Sequence, residues 1–145
     1  MTIALHIRRL RITDYDAMIR LFRVCGLNPR TRGRESRSAI AAQLRTARNR
    51  YLGAFEGTRL VGTVLGTHDG RKGWINRLAV HPEYRRRQLA SRLVRLCERG
   101  LREQGIQIFA ALIDPDNFAS EAVFRGLGYE IHPMLYARRK IHTGV

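Results

Sequence analysis

The sequence predicts a mixed α/β fold, and three patterns carry that expectation. Apolar residues alternate with polar or small ones at Ile3, Leu5 and Ile7, and two further β-like runs, Tyr51 to Phe55 and Leu60 to Thr67, flank a short glycine-containing turn. Leu89, Leu93, Leu96, Cys97 and Leu101 recur at the spacing of one face of a long helix. Ile106 to Ile113 then runs apolar on both faces, as a strand covered on both sides does. A β-rich centre followed by helix, strand, helix and strand describes a mixed sheet with a βα unit in its middle.

Each element has its own local signal. After the first strand, Thr13 can cap a helix carrying Ala17, Leu21 and Val24, and Gly26 suits its end. Residues 28–37 are polar and basic and read as a loop, holding Arg30, Arg32, Arg34 and Arg37. A second helix follows with Ile40, Leu44 and Ala47 on one face. Glu56-Gly57-Thr58-Arg59 joins the next two strands as a hairpin turn, and residues 68–73 turn the chain into a strand over Trp74 to Val80. The long helix begins near Gln88, and Gly105 ends it. Asn117 can cap a short helix from Phe118 to Leu127 that stops at Gly128. Tyr129 to Ile131 and Met134 to Arg138 read as a closing hairpin.

Composition narrows the class. A chain of 145 residues, 44% apolar and 27% charged, is expected to form one domain over 1–145 rather than a fibre, a repeat array or a disordered tail. The longest apolar run, Ile108 to Ile113, falls far short of the ~20 residues a membrane span requires. The N-terminal alternation is unlike a signal peptide. Cys25 and Cys97 are too few for a disulfide framework, so a soluble cytoplasmic protein is expected, with no membrane partner. Net charge is +15, and because lysine occurs only at Lys72 and Lys140, 25 of the 27 basic residues are arginine. Bidentate recognition of carboxylate or phosphate favours arginine; so do GC-rich codons. Either way the charge favours anionic ligands and gives nucleic acid at most a non-specific attraction.

The chemistry is concentrated in Leu78-Ala79-Val80-His81-Pro82-Glu83-Tyr84-Arg85-Arg86-Arg87-Gln88-Leu89-Ala90. A strand ends at Val80, Pro82 turns the chain, and a helix starts near Gln88. Backbone N–H groups at a helix start have no intrahelical partner, and the dipole adds positive potential, which together suit a phosphate. Arg85, Arg86 and Arg87 add three cations there. By charge alone a solvated helix start explains the same residues.

At these residues the sequence resembles the GNAT superfamily of acetyl-CoA-dependent N-acetyltransferases. The family signature [Gln/Arg]-x-x-Gly-x-[Gly/Ala] is opened by Arg85 and closed by Ala90, with Leu78, Val80 and Pro82 in place upstream. A second signature, Asn-x-x-Ala-x-x-x-Tyr-x-x-x-Gly-[Phe/Tyr], is matched in register by Asn117, Gly128 and Tyr129. The resemblance implies a central, mostly antiparallel sheet flanked by helices, with acetyl-CoA as cosubstrate between the strands ending at Val80 and Ile113. It further implies that backbone groups of Leu78, Ala79 and Val80 hold the pantetheine arm and that residues from Arg85 through Arg86, Arg87, Gln88 and Leu89 to Ala90 hold the pyrophosphate. Asn117 and Phe124 would flank the pantetheine and thiol. The implied acceptor is a primary amine, on a small molecule or a protein N-terminus; a homodimer stays open.

Three departures from the pattern matter. Gln88 replaces the central glycine; an ordinary αR helix start would tolerate it, whereas a positive φ would not. Ser120 replaces an alanine. Phe124 replaces the tyrosine that in many relatives protonates the departing thiolate, and a phenyl ring donates no proton. No general base is evident either: Trp74 to Leu78 and Phe109 to Ile113 contain no carboxylate. Asn76 can hold a water, while Asp114, Asp116 and Glu56 read as turn charges. Catalytic side chains therefore stay unassigned. His6, His68, His81, His132 and His142 show no metal-ligand spacing, so no metal is expected, and phosphate-loop, dinucleotide and nucleophile-elbow motifs are absent.

Direct attack on an activated thioester needs no protein nucleophile, so an N-acetyltransferase remains the leading reading. A CoA-binding module with little catalysis would explain Phe124 and the missing carboxylate together. A basic nucleic-acid-binding protein would explain the charge, but no interleaved aromatics accompany it. Binding without turnover across an amine panel separates the first rival, and tight, salt-sensitive DNA binding the second.

Overall fold

The computed structural model describes residues 4–85 and 88–145. Its strands are β1 (Leu5–Arg9), β2 (Arg50–Glu56), β3 (Arg59–His68), β4 (Gly73–Val80) and β5 (Phe109–Ala110). Its helices are α1 (Tyr15–Val24), α2 (Arg37–Arg45), α3 (Leu89–Arg102) and α4 (Phe118–Gly126). The sheet runs in the order β1-β2-β3-β4-β5, antiparallel throughout except for the parallel pair β4-β5. This is the mixed, mostly antiparallel sheet that the sequence predicts.

Local chemistry accounts for most boundaries. Gly57 takes a positive φ of 58° in the β2-β3 hairpin, where a side chain would be strained. Ser36 caps α2 by accepting from Ala39 N at 3.1 Å, and Asn117 caps α4 by accepting from Ser120 N at 3.1 Å. The first helix departs from expectation. Thr13 is not its cap; a 3-10 turn over Ile12–Asp14 precedes Tyr15, and Asp14 accepts from Arg11 N and from the Arg8 guanidinium, both at 2.8 Å. The carboxylate, accepting from both groups, holds that turn, so the helix starts at Tyr15, one residue later than a Thr13 cap would place it.

The sheet separates two apolar layers. On one side α3 and α4 bury Leu89, Leu93, Val94, Cys97, Leu101 and Phe124 against Val61, Val64 and Ile75. On the other, α1 and α2 bury Met18, Phe22 and Ile40 against Tyr51, Phe55 and Leu65. Each fully buried side chain of this size contributes roughly 1.5–3 kcal/mol. Leu96, predicted on the core face of α3, is instead 38% exposed, since Val94 takes the buried position. Ala47 lies beyond the end of α2 and is exposed, because the helix stops at Arg45.

Two predicted strands are curtailed. The run Ile106 to Ile113 pairs with β4 only at Phe109 and Ala110. The closing hairpin over 129–138 does not form: no strand or helix follows α4, and Met134, Leu135 and Tyr136 are exposed. An alternating apolar pattern permits a strand but does not supply its partner. The predicted residue Ile3 lies outside the described residues, as do Arg86 and Arg87. No helix among the described residues is long and apolar enough to cross a membrane.

Candidate active site

A β-bulge in β4 shapes the site. Leu65 pairs with Asn76 and Thr63 with Ala79, so Arg77 and Leu78 together face the single residue Val64. Arg77 takes φ 48°, a left-handed conformation rare for a residue with a side chain. The bulge is held from both sides. The buried Thr63 hydroxyl donates to the Arg77 carbonyl at 3.0 Å, which satisfies a group that burial would otherwise penalise. Across the sheet, the Arg77 guanidinium donates to Glu35 through Nε and Nη2, each at 2.6 Å.

Glu35 comes from the loop between α1 and α2 and is 3% exposed. It also accepts from Arg30 N at 2.8 Å, while Tyr15 Oη donates to its backbone carbonyl at 2.6 Å. A buried carboxylate is tolerable only when its lone pairs are satisfied, and this geometry satisfies them. The pair thus docks the basic loop onto the bulge of β4.

Below Trp74 and Ala110 the β4-β5 ladder stops, and the two strands part. The resulting cleft, about 610 Å³, is walled on one side by Asn76, Arg77 and Leu78 and on the other by Ala111, Leu112, Ile113 and Asp114. Asn117, Ser120 and Phe124 of α4 close one end; Leu27, Arg34, Glu35, Gln43 and Tyr51 form the other. Leu65, Thr67 and Ile75 line its floor. Tyr51 Oη donates to Gln43 Oε1 at 2.7 Å, and Gln43 Nε2 donates to the Arg34 carbonyl at 2.8 Å. Burial, with the negative charge of Glu35 adding to it, pushes the Tyr51 phenol up to about 12, so it stays a neutral donor across the physiological range.

The residues singled out from sequence divide into three groups. Leu78, Asn76, Asn117, Ser120 and Phe124 meet at the cleft, although 40 residues separate some of them in the chain. Asn76 Nδ2 donates to Thr67 Oγ1 at 3.3 Å, and Phe124 is 3% exposed with its ring edge-on to Tyr129 at 4.9 Å. Tyr129 in turn donates to Glu98, and burial together with that carboxylate raises its pKa, so its hydroxyl is engaged away from the cleft. Ala79 and Val80 point into the two cores, leaving only their backbone for any ligand. The Val80 carbonyl already accepts from Arg85 Nε at 3.1 Å and Cys25 Sγ at 3.3 Å.

The turn into α3 corrects one expectation. Gln88 is not in the αR conformation of an ordinary helix start; it caps α3 at φ 58° and ψ 19°. Gln88 thus stands left-handed immediately before the first residue of α3, Leu89. This is the conformation for which the signature's glycine is suited. Leu89 is buried and anchors the helix start, while Ala90 is half-buried beside it. Sequence reasoning missed Glu35, Gln43, Tyr51 and Thr67. A signal for Glu35 existed: it is the lone acid among the arginines of residues 28–37. Glu56 and Asp116 do not line the cleft, and no group of His, Cys, Asp and Glu among the described residues could hold a metal.

Comparison with known proteins gives a consistent picture. The acetyltransferase (GNAT) family model matches residues 9–129. An acetyltransferase of Photorhabdus laumondii is 32% identical over 127 residues, covering 87% of each chain. One of Pectobacterium atrosepticum is 30% identical over 127 residues, covering 87% of this chain and 88% of its own. Among solved structures, PaiA N-acetyltransferase of Thermoplasma acidophilum in complex with coenzyme A superposes with a TM-score of 0.79 at 19% identity, over 89% of this chain and 91% of that one. The aminoglycoside acetyltransferase AAC(6')-Iy, bound to a bisubstrate analogue, gives 0.77 at 18% identity, over 94% and 99%. At such identities these two structures speak for the fold.

Proposed function

Because the chain belongs to the GNAT family of acetyltransferases, we propose that it transfers the acetyl group of acetyl-CoA to a primary amine by direct attack. The observation that carries this reading is the cleft opened where β4 bulges at Arg77-Leu78 and parts from β5, two residues before β4 ends at Val80. Along Leu78, backbone groups are free of a β5 partner and can pair with the amides of a pantetheine arm as an added strand would. The first-turn N–H groups of α3, at Leu89 and Ala90, lack intrahelical partners and suit the pyrophosphate, with Arg85 to Arg87 supplying charge. Val80 contributes less through its carbonyl than the resemblance implies, since Arg85 and Cys25 occupy it.

Acetyl-CoA supplies an already activated acyl group, so the chain's task is positioning. Asn117 and Phe124 bound the thioester end, and Asn76, Thr67, Gln43 and Tyr51 offer hydrogen bonds on the acceptor side. The amine must arrive unprotonated. Glu35 is committed to Arg77, which leaves Asp114 as the cleft-wall carboxylate with no ion pair among the described residues, and water held by Asn76 as a proton route. When the amine nitrogen bonds to the acyl carbon, the carbon–sulfur bond breaks, the amine proton passes to water and CoA leaves as the thiolate or thiol.

The test pairs binding with turnover. Acetyl-CoA at millimolar concentration should raise Tm by mass action, and a panel of primary amines should release CoA thiol in proportion to acetylated product. A folded protein that shows neither shift nor release would overturn the proposal.

A further inference from the structure

The basic loop at one end of the cleft is joined by the opposite end of the chain. Gly33, between Arg32 and Arg34, lies against the C-terminal residues: a Cβ there would sit 2.9 Å from the Gly144 carbonyl oxygen and 2.9 Å from Val145 Cα. Only glycine fits that approach. The tail beside it carries Arg138, Arg139 and Lys140, and Lys140 Nζ reaches the Thr143 carbonyl at 3.5 Å. Cations from both segments therefore gather at one place. Desolvation and then repulsion from Arg30, Arg138 and Arg34 lower the Lys140 pKa.

Among the described residues, ion pairs engage Arg8, Arg37, Arg59, Arg77, Arg99 and Arg125, but no carboxylate pairs with Arg30, Arg34, Arg138 or Lys140. On the loop side Gly33, the Arg34 carbonyl and the Arg30 amide are each fixed by contacts of their own, and on the tail side Lys140 bonds to the Thr143 carbonyl, next to the Gly144 that meets Gly33. Arg34 belongs to the cleft wall itself. Glu35 next to it adds no free negative charge, because Arg77 neutralises it. Asp114, which makes no ion pair among the described residues, lines the opposite strand wall.

We infer that the acceptor amine carries an anionic group, a carboxylate or a phosphate, which Arg34, Arg30, Arg138 and Lys140 hold at the loop end of the cleft while the amine faces the thioester. The inference rests on the amine-transfer reading and deepens it. Guanidinium forks bind both anions through paired hydrogen bonds, so the geometry selects charge before it selects identity. A cationic amine with no anionic group would be repelled at this rim.

The experiment compares acceptors matched in length. For carboxylates the set is 5-aminopentanoate, 5-aminopentanamide and 1,5-diaminopentane; for phosphates it is 3-aminopropyl phosphate against 3-aminopropanol. At low ionic strength kcat/KM should favour the anion over its neutral counterpart by about 10-fold or more, the usual scale of one charge-assisted hydrogen bond. The carboxylate and phosphate arms together decide which anion is preferred. The advantage should shrink as salt screens the rim, and the double substitution Arg34→Gln with Lys140→Gln should bring anion and neutral amine to within about 3-fold. Equal or better turnover of the neutral or dicationic amine by the unaltered protein leaves transfer standing and overturns the anionic-acceptor inference. So does a preference that survives both high salt and the double substitution. Absence of thiol release with every amine, in protein that acetyl-CoA stabilises, overturns the transfer reading and this inference with it.

Discussion

Replacing Glu35 by alanine tests whether the α1-α2 loop is locked to the bulge of β4 by charge. The substitution removes the acceptor of two 2.6 Å bonds from Arg77 and one 2.8 Å bond from Arg30 N. Breaking a buried pair by deleting one member costs about 3–5 kcal/mol, most of it from the stranded charge. The Arg77 side chain keeps 20% exposure and one further bond, to the Asn28 carbonyl at 3.3 Å, so water and backbone recover part of that cost. The expectation is a loss of about 2–4 kcal/mol, read from the urea midpoint with m unchanged and accompanied by a fall in Tm of roughly 10 °C. The double variant Glu35→Leu with Arg77→Met strands no charge, so it should lose less than the sum of the single substitutions. A loss below about 1 kcal/mol for Glu35→Ala, or strict additivity in the double variant, would refute the reasoning and reduce the pair to a surface contact.

Three further outcomes are expected. Gln88→Gly removes a side chain from a left-handed residue at φ 58° and should stabilise the fold by roughly 1 kcal/mol while keeping or modestly tightening acetyl-CoA binding; loss of binding would make the Gln88 side chain itself a ligand. Phe124→Tyr restores a hydroxyl beside the cleft and should raise kcat, by as much as ~10²-fold, with little change in the KM for acetyl-CoA; a fall in kcat would show that packing against Tyr129 matters more than proton donation. The Tyr51 pKa is raised to about 12 in the fold, from ~10 in the unfolded chain. The neutral phenol is therefore favoured by folding, and its contribution is complete below pH ~10 and lost as pH rises toward the folded value. Tyr51→Phe should flatten the decline in stability between those limits, measured by urea titration at stepped pH; an unchanged slope would contradict the burial argument.

The features legible in the chain of residues are the local ones. The glycine in the β2-β3 turn, the Asn117 cap of α4 and the apolar stripe of α3 each follow from residues within a few positions of one another. The two family signatures were legible for the same reason, because each lies within one strand-turn-helix or one helix. Tertiary structure decided the rest. The bulge at Arg77 comes from the register between β3 and β4, and nothing in Trp74 to Val80 alone announces an extra residue. Glu35 and Arg77 lie 42 positions apart, so their pairing is a property of the folded loop. The same holds for the cations that residues 30–34 and 138–140 bring to one rim. Tyr129 to Arg138 have a strand's pattern without a strand's partner, and β5 keeps only two paired residues, because a ladder needs a neighbour at hydrogen-bonding distance and the pattern specifies only which face would be buried. Gln88 shows the limit most directly: its type argues for αR, but in the fold it stands left-handed at φ 58° immediately before α3, against the preference of the residue.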